Sequence, residues 1–142
     1  MRYKDVSLRK ERDKDLFEKY SRALAQNRFE SQDEIIDFVR QGGAKKFYIS
    51  GDYCAIVLGR MLKGEAPGVY GKERLRKFAD LLELYHEVRR RPGYESKSML
   101  DVCHVIVEMP APSFYLTHKT TNMFLMRIKK EKRKELCEKW VR

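Results

Sequence analysis

Apolar residues recur at helical spacing through six stretches of the chain, and the polar breaks between them carry residues that start and stop helices. From about Asp5 to Gln26 a charged segment places Leu16, Phe17, Tyr20 and Leu24 on one face and predicts a first helix. Ser31, followed by Asp33 and Glu34, reads as an N-cap with acids in the first turn; Ile35, Ile36, Phe38 and Val39 carry a second helix until Gly42 and Gly43 stop it. After the link Ala44 to Ile49, Ser50 caps a third helix that runs through Ala55, Ile56, Val57, Leu58 and Met61 to about Lys63. Lys72 to Arg90 gives an amphipathic fourth helix on Leu75, Phe78, Leu82, Tyr85 and Val88, broken at Pro92 and Gly93. A fifth begins near Ser98, contains Leu100, Val102, Cys103, Val105 and Ile106, and ends before Pro110 and Pro112. Thr117 caps the last, which continues through the charged run from Lys129 to Glu135 toward Trp140.

Two segments also favour β structure, Val102 to Glu108 and Phe114 to Thr117. The helix is preferred for Val102 to Glu108 because its counterpart, Ile35 to Gln41, has the clearer helical pattern. Very short extended pieces at Phe47 to Ile49 and Phe114 to Leu116 leave the all-α reading intact.

That counterpart exists because the pattern repeats. Phe47-Tyr48-Ile49-Ser50 and Arg60 return 67 positions later as Phe114-Tyr115-Leu116-Thr117 and Arg127. Ala44 matches Ala111, Leu58 matches Leu125, and Lys63 matches Lys130. Upstream the offset becomes 65 and pairs Asp15 with Asp80, Leu16 with Leu81 and Tyr20 with Tyr85, as a two-residue loop insertion would produce. A fixed period of this length predicts two copies of one supersecondary unit. The expected architecture is all-α: two tandem three-helix, helix-turn-helix-like repeats packed together, at residues 1–64 and 72–142. The turn-rich stretch 65–71 links them.

Each half of such a chain is too short to bury a large core alone, so the halves are expected to share one. Charge narrows the partners. Thirty-one Lys and Arg against 21 Asp and Glu give a net charge of +10, a balance that attracts nucleic acid first and anionic membrane second. Cys54, Cys103 and Cys137 fit neither a disulfide framework nor a zinc knuckle, and no segment has the roughly 20 apolar residues of a membrane span. The expectation is a cytoplasmic protein with no membrane partner and no cofactor.

A three-helix unit whose last helix follows a short connection and a hydroxyl cap resembles helix-turn-helix domains. Two in series resemble tandem Myb-like or homeodomain-like DNA-binding modules, and the chain is also similar to small basic proteins of bacterial mobile elements. The helix-turn-helix resemblance implies that the third helix of a unit enters the major groove. Copy one offers Gly51, Asp52, Tyr53 and Ala55 there, poor in base-reading groups; copy two offers His118, Lys119, Thr120, Thr121 and Asn122, rich in them. Copy two is therefore the expected reader. Lys45, Lys46, Arg60 and Lys63, with Arg127, Lys129, Lys130 and Arg133, are candidate phosphate contacts.

Three functions follow, in descending order. The first is a non-enzymatic duplex-DNA binder acting as a regulator or accessory factor in transcription. The second is an assembly module that forms a homodimer through the apolar third helices, where Met123, Phe124, Leu125, Met126 and Ile128 are apolar on nearly every side. The third is an RNA or single-stranded DNA binder that stacks bases on the Phe-Tyr elements. No catalytic or metal motif is present. Adjacent Cys103 and His104 point about 100° apart on a helix, and Tyr48 or Tyr115 as a nucleophile would need an exposed phenol among cations.

Overall fold

The structure is a computed structural model that describes residues 2–68 and 71–141, with the side chains of residues 6–68 and 71–140. It is all-α: α1 Arg2–Gln26, α2 Gln32–Gln41, α3 Gly51–Leu62, α4 Lys72–Arg89, α5 Met99–Ile106 and α6 His118–Val141. The hydroxyl starts hold throughout. Ser31, Ser50 and Ser98 accept from the N–H groups of Glu34, Tyr53 and Asp101, and Thr117 accepts from Thr120, each satisfying an orphan donor of a first turn. Val102 lies in α5, which stops at Ile106, so the β-favouring stretch is helical in its first five residues only. No strand forms among the described residues. Val69 and Tyr70 of the 65–71 link lie outside them.

Packing departs from the sequence order. α1 packs on α2 and α6, whereas α3 packs on α4 and α5. The last helix of each half thus sits on the first two helices of the other. The link at 65–71 divides the sequence without dividing the core, because the segments before α3 and α6 cross between the halves. Ala44 and Ala111 donate to each other's carbonyls, at 2.9 and 3.0 Å. Phe47 N–H donates to Val107 O, and Phe114 N–H donates to Arg40 O, both at 3.1 Å. Each bond has a counterpart with every residue advanced or set back by 67 positions.

The aromatic elements complete the crossing. Tyr48 stacks on Phe114 with ring planes 6° apart, and Phe47 stacks on Tyr115 at 15°. Tyr48 and Tyr115 have φ of 54° and 55°, left-handed values that cost a residue with a Cβ about 1 kcal/mol or more. What holds them there is the far end of the side chain: Tyr48 donates its phenol to Asp15 at 2.7 Å, and Tyr115 donates to Asp80. Burial first, then the carboxylate, raises both phenol pKa values. Phe47, Phe114 and Tyr115 are buried, so the rings serve the core and offer no stacking platform to unpaired bases.

A matching device fixes the start of each crossed helix. α6 begins with His118, whose Nδ1 lies 2.9 Å from Asp37 of α2; α3 begins beside α5, where His104 Nε2 lies 3.0 Å from Asp52. Gly51 permits that approach, since a Cβ there would stand 2.4 Å from His104 Nδ1. Leu58 and Leu125 then bury completely or nearly so, joining Leu16, Phe78 and Leu81 in one core.

Candidate functional site

The start of α6 is less open than its sequence suggests. His118 bridges Asp37 and Asp33, and the hydrogen bond to Asp37 is the main cause that raises its pKa. Thr121 is fully buried and donates its hydroxyl to Thr117 O at 2.8 Å, so it cannot reach a base edge. Thr120 shares a 2.9 Å hydroxyl contact with Thr117. Lys119 is exposed and Asn122 half-buried; neither makes a hydrogen bond or ion pair among the described residues. The first turn therefore divides into a His118–Thr120–Thr121 set that anchors the helix and a Lys119–Asn122 pair available for contact.

The expected phosphate ligands divide in the same way. Arg127 is bound to Asp13 and lies 3.9 Å from Glu131. Lys129 donates to the Tyr20 phenol at 2.7 Å and stands over its ring. Lys46 joins Glu11 and Glu108, both at 3.1 Å, and the Glu11 bond leads the causes that raise its pKa. Lys45 pairs with Glu18 at 3.2 Å but keeps 59% of its side chain in water. Arg60 is exposed and its guanidinium reaches Gly68. Lys63, Lys130 and Arg133 are exposed with no ion pair among the described residues. From Glu131 to Trp140 every residue of α6 is exposed, and Lys132 reaches back to lie 4.8 Å from the centroid of the Phe17 ring of α1.

A second cationic group was not singled out by the sequence reading. Arg12 of α1 is tied to Asp13 at 3.0 Å, lies with its guanidinium carbon 4.1 Å from the Phe124 ring centroid, and keeps a buried Nε–H with no acceptor. Burial, with smaller contributions from Arg127 and Arg9, lowers its pKa despite Asp13. Lys77 of α4 makes no hydrogen bond or ion pair among the described residues. Burial, then Arg74 and Arg12, pushes its pKa down to about 8. Arg9 and Arg74 are exposed beside these two recessed cations. The missed signal was the offset of 65, since it relates Arg9 to Arg74 and Arg12 to Lys77 as it relates Asp15 to Asp80.

The candidate nucleophiles are poorly placed for attack. Cys103 is fully buried while His104 points outward to Asp52. Cys54, also fully buried, is held protonated by its hydrogen bond with Cys103 and by burial. Tyr48 and Tyr115 each face a carboxylate where a nucleophilic phenol would need cations. Among the described residues no group of His, Cys, Asp and Glu is arranged to hold a metal, and no helix is long and apolar enough to cross a membrane. Comparison with protein-family models, with curated proteins and with solved structures finds no match.

Proposed function

We propose that the chain is a duplicated, non-enzymatic nucleic-acid-binding protein that grips duplex DNA mainly through its phosphates, acting as a regulator or accessory factor. The observation that carries this reading is the exposed end of α6, where Lys130, Arg133 and Lys134 stand in water with no acidic partner among the described residues. A helix that leaves the body with cations on it suits a polyanion better than an apolar partner. Lys119 and Asn122, one helix turn apart at the other end of α6, are the groups left to touch base edges. The exchange of α3 and α6 is read here as the packing of two copies of one three-helix unit, and its pairwise backbone bonds favour a target with approximate two-fold symmetry.

The test is a titration of labelled random duplex and single-stranded DNA at several salt concentrations, followed by fluorescence anisotropy. Each neutralised phosphate should add about 0.9 to the slope of log affinity against log salt. Duplex binding with a slope of several units is the expected result; no binding at low salt refutes the reading. A second reading has its own observation: Met123, Met126, Leu136 and Trp140 are exposed along α6, Trp140 by 79%. It makes α6 a dimer helix, and salt-indifferent self-association measured by sedimentation would favour it.

A further inference from the structure

Two open grooves occupy corresponding places in the two halves and carry opposite charge. One is lined by Lys19, Arg22 and Gln26 of α1 and by Gly43. In the other, the residues 65 positions after Lys19 and Arg22 are Leu84 and Glu87, and the residue 67 after Gly43 is Pro110. Asp80, Glu83 and Glu87 give this second groove three carboxylates from one face of α4, and Pro110 and Pro112 form its apolar side. Tyr115 occupies Asp80 and Arg91 reaches Glu87 at 3.4 Å, but Glu83 makes no hydrogen bond or ion pair among the described residues. At about 230 Å³ the groove is smaller than the ~300–1,000 Å³ of small-molecule pockets and suits a few side chains of a docked helix. In a chain of net charge +10, a groove with three carboxylates and no cation among its lining residues attracts the positive charge of another copy.

The chain itself carries the complement. Met123, Met126, Lys130, Arg133, Cys137 and Trp140 alternate at spacings of three and four residues, which sets them in one stripe along α6. All six are exposed, opposite the buried Thr121, Leu125 and Ile128. Lys134 flanks the stripe, whereas Glu131, Glu135 and Glu138 fall about 80–140° round the helix from Lys130. We infer that the acidic groove of α4 takes the α6 end of a second copy, with Lys130, Arg133 and Lys134 against Glu83 and Glu87 and Trp140 against Pro110 and Pro112. Lys130 and Lys134 are one helix turn apart, as are Glu83 and Glu87, so two helices laid side by side pair both at once. The corresponding groove cannot serve, because its Lys19 and Arg22 repel the same cations. Each copy has one helix end and one acidic groove, so a two-fold axis makes the contact twice. Nucleic acid has no part in this contact, although it would compete for the same three cations.

Trp140 is the chain's one tryptophan, so its emission reports the helix end directly. Across a concentration series of the full chain at low salt, the emission should shift to the blue as sedimentation shows self-association. The association should weaken about ten-fold or more between about 0.05 and 0.5 M salt, because exposed ion pairs are screened. That readout requires no variant to fold. Glu83→Lys with Glu87→Lys, both at exposed positions, should abolish both signals, while Arg22→Gln in the basic groove leaves them in place. Lys130→Glu with Arg133→Glu should abolish them as well. A mixture of the two charge-reversed chains should associate where neither does alone, since each helix end then meets a groove of opposite charge. A chain that stays monomeric at low salt, an association that survives Glu83→Lys with Glu87→Lys, or a mixture of folded variants that fails to associate overturns the contact. Association indifferent to salt overturns it in favour of α6 pairing with α6 through its apolar residues.

Discussion

The α1–α2–α6 group and the α3–α4–α5 group are built on one frame and differ in how they treat charge. In the first, Arg12, Asp13, Phe124 and Arg127 make a closed corner: Asp13 binds both guanidinium groups, and Phe124 lies beneath them. The corresponding positions in the second are Lys77, Phe78, Val57 and Arg60. Phe78 fills the core where Asp13 balanced charge, and Lys77 and Arg60 make no ion pair among the described residues. The pins at the helix starts reverse their chemistry as well, His on α6 and Asp on α2 in one group, Asp on α3 and His on α5 in the other. A scaffold that tolerates such exchanges is held by its apolar layer and by the Tyr–Asp pairs, and its surface charges are free to specialise.

The largest effects should come where the two groups are alike. Leu58→Ala and Leu125→Ala each remove a buried side chain at corresponding positions and should each cost about 2–5 kcal/mol, with the two values agreeing within about 1 kcal/mol. Urea unfolding of both variants checks this. Values several kcal/mol apart would mean that the groups share a sequence pattern and not a packing.

Next come the Tyr–Asp pairs, where the groups differ. Asp15 is almost wholly buried and accepts from the Tyr48 phenol, the Lys45 N–H and the Lys19 ammonium. Asp80 is half-buried, and its one hydrogen bond among the described residues is with Tyr115. Asp15→Ala should therefore cost about 3 kcal/mol, and Asp80→Ala about 1–2 kcal/mol. Equal losses would show that the phenol bond alone matters at both places. A smaller change, Asp13→Asn, should open the closed corner for about 1 kcal/mol of stability and tighten duplex binding several-fold, by releasing Arg127 and Arg12. Denaturation and anisotropy on the same variant test both halves of that statement.

Much of the fold was legible because local rules and the repeat agree. Ser31, Ser50, Ser98 and Thr117 start the helices they were expected to start, and Gly42 and Pro92 follow the ends of α2 and α4. The exchange of α3 and α6 was not legible, because the apolar faces that pack within a half and those that pack between halves have the same periodicity. The backbone bonds that cross at Ala44, Ala111, Phe47 and Phe114 distinguish them, and a sequence carries no mark of those. The site was legible by residue type more than by availability. His118 and Thr121 have the right chemistry for a base edge, but Asp37, Asp33 and the core claim them. Arg12 and Lys77 were hidden in amphipathic helices as ordinary charged positions, since a recessed lysine looks in sequence like one in water.

The smallest expected effects oppose each other in pH. His118 is held above its ordinary value by Asp37 and then Asp33. Its favourable pairing is fully present below the unfolded value near 6.5 and is lost as pH rises through the higher folded value. Lys77 acts in the other direction. With a folded value of about 8 against roughly 10.4 unfolded, the native state sheds a proton that the unfolded chain keeps, so stability rises between those values. Unfolding midpoints in urea should thus fall slightly as pH passes from 6 to 8 and recover from 8 to 10. His118→Gln should remove the fall, and Lys77→Met the recovery, each leaving the other limb in place. A recovery that persists in Lys77→Met would trace the upper limb to another group and make Lys77 an ordinary solvated lysine, with the closed and open corners then differing in shape alone.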